Sequence, residues 1–365
     1  MKRSLLGLSP LVLALALAAC DRTDQENAAD REGGATQTAE APAAAGTTAP
    51  ATGAAGVQPM DRAAVDAASF STDAATTTDR TPAVLRAQVL LDRARFSPGV
   101  IDGTMGENVR QAIAAFERAN HLPVDGQLDE AVFAKLTQMD NRPALTEYTI
   151  TEADLKGPFV ETIPDDLEAQ GKLPALSYTG PLEALAERFH MTEEALQALN
   201  PNADFRKAGQ TLLVAAVAAE PLPSAVTLIE VDKAERAVRV YGADRKLLAF
   251  YPATIGSSVL PTPGGEMTVK GVAPEPDYTF DPKKINSGKA DKIVKVAAGP
   301  NNPVGSVWID LTKDTYGIHG TPNPRLIGKT ASSGCVRLTN WDAEQLASQV
   351  KPGVKVVFLE QSKPA

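Results

Sequence analysis

Hydrophobic periodicity changes twice along this chain, and those changes bound what each part can become. Between residues 82 and 140 apolar residues return at helical spacing: Val84, Leu85, Val89, Leu90 and Phe96, then Val109, Ile113, Ala114 and Phe116, then Val132, Phe133 and Leu136. Asp102-Gly103 and Asp125-Gly126 punctuate the runs as turns. The pattern predicts a small all-α unit of three helices over 81–142. From Val226 the pattern becomes that of strands. Val226–Val231 and Ala237–Tyr241 read as a hairpin, and Leu247–Tyr251, Glu266–Lys270, Val307–Leu311 and Val354–Leu359 continue it between Gly and Pro turns. One helix is expected among them, from about Trp341 to Val350. Residues 226–360 are therefore expected to form a mostly-β domain with a closed or sandwiched sheet.

Residues 146–216 mix the two periods. Tyr148-Thr149-Ile150 reads as a strand, and Leu182, Leu185, Ala186 and Phe189 as one amphipathic helix. Thr192 is placed to cap a second helix, with Glu193 and Glu194 at its positive end and a stop at Asn200-Pro201. Gln210–Val214 closes a β-α-α-β order. A short linker with Pro221 and Pro223 follows at 217–225.

Residues 20–80 show no lasting periodicity and hold one aromatic, Phe70, in a background of Ala, Thr, Asp, Glu, Gly and Pro. Such a segment buries too little apolar surface to offset its ordering entropy. It is expected to be a flexible tether with a reach of roughly 40–45 Å. Ahead of it, Lys2 and Arg3 precede a largely apolar run from Leu5 to Leu17. That run is short for a membrane span and fits a secretory signal over residues 1–19. It ends in Leu17-Ala18-Ala19-Cys20, which resembles the bacterial lipobox. The resemblance implies cleavage before Cys20, lipid on its thiol and a membrane-anchored, periplasmic protein. Asp21 resembles the signal that retains enteric lipoproteins in the inner membrane. Residues 1–19 carry two positive charges and no acids, so cleavage takes the net charge from −9 to −11. This acidity argues against a nucleic-acid partner.

The chain has two cysteines, Cys20 and Cys335. If Cys20 carries lipid, Cys335 has no intramolecular partner, and a lone thiol in an oxidising compartment points to chemistry. Cys335 lies in Ser332-Ser333-Gly334-Cys335-Val336-Arg337-Leu338, a short loop's length after His319 of Tyr316-Gly317-Ile318-His319-Gly320-Thr321-Pro322. Of the three histidines, His121, His190 and His319, only His319 falls in the β-rich domain. A thiol nucleophile needs a neighbouring base, and imidazole is the usual one. Gly334 allows close backbone approach, with consecutive amides there as a candidate oxyanion hole. The Gly320 carbonyl is placed to orient the imidazole. One His and one Cys fall short of a zinc ligand set, and neither a metal nor any other cofactor is expected.

Three resemblances refine these readings. Phe96–Gly103, Gly106, Ala112–Phe116 and Leu122–Gly126 resemble the peptidoglycan-binding type 1 domain, with Glu117 where that family often has Gln. Phe189–Thr192 and Leu199–Asn202 resemble a LysM domain, interrupted by an insertion from about Asp154 to Ser177. The stretch from His319-Gly320-Thr321-Pro322 to Cys335–Leu338 resembles the YkuD-type L,D-transpeptidase signature, as do Thr254-Ile255-Gly256 and Thr262–Met267; Ser333 stands where many members carry His. That resemblance implies a Cys335 nucleophile assisted by His319, acting on peptidoglycan tetrapeptide stems and forming 3-3 cross-links. It leaves open an L,D-carboxypeptidase, attachment of a wall lipoprotein through lysine, or a non-catalytic wall-binding lipoprotein. Candidate substrate-binding residues are Arg337, Gly320, Ser333, Gly334 and Tyr316. Arg337 reads equally as a carboxylate binder or a structural ion pair.

Overall fold

A computed structural model describes residues 60–71, 79–217, 221–257, 260–284 and 290–360. The signal segment, Cys20, Asp21 and most of the tether lie outside these residues. At its end the tether expectation fails, because Arg62–Ala67 form a helix, α1, capped by Asp61. Val65 on α1 is fully buried, and Asp66 Oδ1 accepts the Ala144 amide at 2.7 Å. One apolar residue and one acceptor anchor this turn.

The three expected helices are present as α2 (Pro82–Arg93), α3 (Glu107–Ala119) and α4 (Glu130–Met139). The two Asp-Gly turns are held by the same device. Gln88 Oε1 on α2 accepts from the amides of Asp102 and Gly103 at 3.1 and 2.7 Å. Glu117 Oε2 on α3 accepts from those of Asp125 and Gly126 at 3.0 and 2.9 Å. Glu117 is 1 % exposed, so it secures a turn and does not face a ligand. Burial raises its carboxyl pKa despite the two amide donors.

The next unit keeps the β-α-α-β order. Strands β1 (Leu145–Thr149) and β2 (Thr211–Ala215) pair antiparallel, Leu145 opposite Ala215. The insertion carries one helical turn, α5 (Leu167–Gln170), and is followed by α6 (Pro181–Arg188) and α7 (Glu193–Leu199). Thr192 Oγ1 accepts the Ala195 amide at 3.1 Å, the cap its position predicts.

The β-rich unit is built from β3 (Leu228–Asp232), β4 (Ala237–Tyr241), β5 (Leu247–Pro252), β6 (Gly265–Pro274), β7 (Tyr278–Phe280), β8 (Val294–Val296), β9 (Val307–Leu311), β10 (Gly317–His319), β11 (Val336–Arg337), a helix α8 (Asn340–Ala347) and β12 (Lys355–Leu359). Eight of the strands run in the order β11-β10-β9-β6-β12-β3-β4-β5, and β7-β8 form a separate hairpin. The two ends of the long sheet meet. Thr254, just past β5, exchanges both backbone hydrogen bonds with Arg337 of β11, each 2.9 Å. The sheet is thus closed, one of the two forms that its pattern allows. Ile229, Val231, Val238, Val240, Ile309 and Ile318 fill its core.

The units share backbone as well as side-chain contacts. Arg95–Ser97 add to the edge of β5, with Phe250 N to Arg95 O and Ser97 N to Phe250 O both 2.9 Å. That pairing covers an exposed strand edge. The same loop reaches the middle unit, where Ile101 N donates to His190 O at 2.7 Å. Leu167 and Leu176 of the insertion pack on Phe280, Val294 and Val296 of the β7-β8 hairpin, and Leu176 pairs with Ala298 and Asn301 at 2.9 Å each. The insertion is therefore a brace for that hairpin.

Removing the acceptor in Glu117→Ala leaves two turn amides without a buried partner. The expected loss is about 1–3 kcal/mol in urea unfolding. Glu117→Gln retains an acceptor and is expected to lose less than half of that.

Candidate functional site

Strand alternation separates core from site. Ile318, Val336 and Leu338 point into the closed sheet, so His319, Arg337 and, two residues before it, Cys335 fall on the opposite face. β10 and β11 pair parallel, with His319 opposite Arg337. On the other side of β10, His319 pairs with Trp308, whose indole stacks on the imidazole at 5.4 Å and 23°. All three residues therefore sit at the seam where the sheet closes.

The Gly320 carbonyl accepts from His319 Nδ1 at 2.6 Å. A carbonyl only accepts, so Nδ1 carries the proton and Nε2 is left as the basic nitrogen. His319 is 3 % exposed. Burial, aided by the Arg337 charge, lowers its pKa to about 3, against the carbonyls of Gly320 and Val304, which favour the charged ring. Burial raises the Cys335 thiol above its ordinary value, although a backbone contact from Gly317 and the Arg337 charge oppose it. At neutral pH the pair is a neutral thiol beside a neutral imidazole. The thiol's hydrogen bond goes to the Thr315 carbonyl at 3.4 Å. The Cys335–His319 hydrogen bond that a pre-formed nucleophile–base pair requires is not made, and Sγ must turn from Thr315 before its proton passes to the ring.

The loop before Cys335 is tightly tied. Ser332 Oγ donates to Cys335 O at 2.5 Å and accepts the Gly334 amide at 3.1 Å. That second bond occupies the Gly334 amide inside the loop. Gly334 has φ +114°, which side chains with a Cβ rarely adopt. Its Cα faces the Tyr316 ring, where an added Cβ would lie 3.0 Å from Cε1. Lys313 Nζ covers the same ring at 4.7 Å. Ser333 is half-buried at the turn. Thr262 Oγ1 donates to Gly334 O at 2.8 Å and accepts the Gly256 amide at 2.7 Å, linking two stretches that the sequence set apart.

Arg337 opens onto a cleft of about 590 Å³ whose walls include Thr254, Thr321, Glu183 and, from the insertion, Asp165 and Asp166. Its Nε is buried without a hydrogen-bond partner, and among the described residues it forms no ion pair. This removes the ion-pair reading and leaves a guanidinium facing a cleft. Burial lowers its pKa, with Cys335 and Tyr278 acting against that. Tyr278, on the braced hairpin, is also in electrostatic reach of Cys335; burial pushes its phenol up to about 12, so it stays neutral. Sequence spacing gave no signal for Tyr278, which lies far ahead of both His319 and the cysteine in the chain.

A closed β-sheet carries Cys335, His319 and Arg337 together at its seam, and comparison with known proteins gives the family. Residues 226–358 match the L,D-transpeptidase catalytic domain, and residues 80–136 match the family described as "Putative peptidoglycan binding domain". The chain is 33% identical over 178 residues to the "Putative L,D-transpeptidase YkuD" of Bacillus licheniformis, covering 48% of this chain and 91% of that protein. It is 30% identical over 190 residues to the "Probable L,D-transpeptidase ErfK/SrfK" of Escherichia coli, covering 50% and 60%. The chain belongs to the YkuD family of L,D-transpeptidases. Among solved structures, L,D-transpeptidase 3 from Mycobacterium tuberculosis aligns over 42% of this chain and 76% of its own at 16% identity and a TM-score of 0.32, too distant to compare residues. The LysM likeness of residues 146–216 rests on the β-α-α-β order and on the Phe189–Thr192 and Leu199–Asn202 motifs.

The raised Cys335 pKa sets a pH dependence. The thiolate fraction at pH 7 lies below that of a free thiol and grows as pH rises through 9. Alkylation by iodoacetamide, followed by intact mass, is expected to be slow at pH 7 and to accelerate about tenfold per pH unit toward pH 9. Fast, pH-independent labelling at pH 6 would refute a neutral resting thiol.

Proposed function

We propose that this protein is a periplasmic L,D-transpeptidase that uses Cys335 as nucleophile and His319 as general base on peptidoglycan tetrapeptide stems. The observation that carries this reading is the seam itself: His319, Arg337 and Cys335 share one face, and of the three Arg337 lines the cleft, with its guanidinium unpaired among the described residues. The neutral resting pair implies that proton transfer accompanies attack, without a standing thiolate. As Sγ attacks the stem carbonyl at position 3, its proton passes to His319 Nε2, and the carbonyls at Gly320 and Val304 favour the imidazolium. The imidazolium then gives that proton to the departing D-Ala amine, leaving a thioester on Cys335. The amine of a second stem attacks the thioester and frees the thiol, forming a 3-3 cross-link. Arg337 holds a stem carboxylate as a charge-assisted pair.

The N-terminal segment supports the setting. The helical unit at 81–142 holds the enzyme on the wall, while a lipid on Cys20 tethers it to a membrane, the inner one by the Asp21 signal.

Mass spectrometry of muropeptides incubated with the enzyme and with Cys335→Ala tests this function. A dimer joined through two diaminopimelates, absent with Cys335→Ala, is the expected product. Tripeptide alone would assign a carboxypeptidase, a single stem joined through diaminopimelate to the lysine of an added lipoprotein would change the acceptor, and identical products from both proteins would remove Cys335 from the chemistry. Arg337→Gln is expected to raise KM by about tenfold or more, since it removes a charged hydrogen bond worth roughly 1.5–3 kcal/mol.

A further inference from the structure

We infer that Glu187, on α6 of the middle unit, is a positioning residue for the His319 base, acting through Asn340. This rests on His319 serving as base, as proposed above. The link consists of hydrogen bonds between buried groups. Asn340, at the start of α8, is 3 % exposed, and Glu187 is 9 % exposed. Asn340 Nδ2 donates to Glu187 Oε2 and Oε1 at 3.1 and 3.3 Å, and to Pro300 O at 3.2 Å. Asn340 Oδ1 accepts from the amides of Thr321 and Ser306 at 3.0 and 3.1 Å. Thr321 directly follows Gly320, whose carbonyl orients the imidazole. One side-chain amide therefore ties the middle unit to the two loops that flank the base.

The chemistry of an amide explains why an acceptor is needed. Oxygen and NH2 occupy the two ends of nearly the same shape, so an unsupported Asn can present either end. Only the oxygen end satisfies two backbone N–H groups. Acceptors at the far end reinforce that orientation: Pro300 O is one, and Glu187 supplies two more oxygens there. Tyr178 OH in turn donates to Glu187 Oε2 at 3.3 Å. Burial raises the Glu187 carboxyl to about 8, with the nearby Glu183 and Glu344 charges adding to the shift and Asn340 and Tyr178 opposing it. Protonated, it still accepts through its carbonyl oxygen. The fit is close: a Cβ placed on Gly320 or on Gly305 would lie 2.2 Å from Asn340 Oδ1. Reorienting Asn340 would turn NH2 toward two backbone donors and move the Gly320 carbonyl. The His319 ring would lose its fixed tautomer with it.

The middle unit thus helps complete the catalytic domain. Glu187 lies in a region that the sequence marks as a separate module.

The test compares Glu187→Met, which keeps the length of the side chain without its acceptor, with Glu187→Gln, which keeps an acceptor. In the full chain, Glu187→Met is expected to lower kcat by roughly ten- to a hundredfold with KM little changed, the scale of a misplaced catalytic group. Glu187→Gln is expected to restore kcat to within about threefold. Nitrogen-15 histidine spectra supply a second readout that needs no substrate. Wild type should show a hydrogen-bonded His319 Nδ1–H of one tautomer, assigned against His319→Ala, and Glu187→Met should broaden or lose it. A wild-type spectrum and kcat in Glu187→Met, or equal damage from both substitutions, would overturn the proposal. A wild type inactive on muropeptides would overturn the proposed function instead, and the spectra would still decide this link.

Discussion

The two backbone hydrogen bonds between Thr254 and Arg337 join the ends of the long sheet, and the arrangement of the site follows from that closure. Without them β11 would be a very short strand held on one side only. With them it is fixed between β10 and the chain leaving β5. Arg337 then faces the cleft while Val336 and Leu338 enter the core. The same closure brings Thr262 under Gly334 and sets the turn that carries Cys335. A seam suits this purpose, because backbone pairing holds both edges while the side chains between them face outward.

The second dependence is between units. Three modules read from the sequence as beads on a thread share strand pairings, buried apolar clusters and hydrogen bonds. The loop at Arg95–Ser97 completes the edge of β5, the insertion at Leu167 and Leu176 braces the hairpin that carries Tyr278, and Asn340 reaches Glu187. Each contact covers something the β-rich unit leaves open: a strand edge, an apolar hairpin face, a buried amide. Uncovered, each would expose backbone donors or apolar surface. The helical unit is therefore part of the same packed body as the site.

Much of this is legible in the sequence, for reasons that differ by residue. The helices at 82–139 and the strands from Leu228 carry their periodicity in the sequence, because burial on one face forces it. The Thr192 cap and the Gly320 carbonyl are local, with partners close by in the chain, and so can be read from the motif. The turn-holding role of Glu117 is not legible, because its partners, the Asp125 and Gly126 amides, lie beyond the next turn of helix and give no local sign. The helix at Arg62–Ala67 is hidden in low-complexity sequence, since a single buried residue, Val65, makes no period. The hold of Ser332 on the Gly334 amide is likewise not legible, since Ser and Gly so spaced need not meet until the loop is folded.

By itself the sequence determined the three helices at 82–139, the longer strands from Leu228, and a mostly-β domain at 226–360 that was either closed or sandwiched. It also marked Cys335 and His319 as the pair to examine, because nucleophile, base and glycine spacing are local properties of the chain. Tertiary structure alone decided the protonation of that pair, since burial by distant strands sets both pKa values. It decided that Arg337 has no carboxylate partner among the described residues, which depends on what the other units place nearby. It also joined Glu187 to the loop beside His319 although the two lie in different modules of the chain. No local pattern encodes that contact, because it exists only once two units have packed.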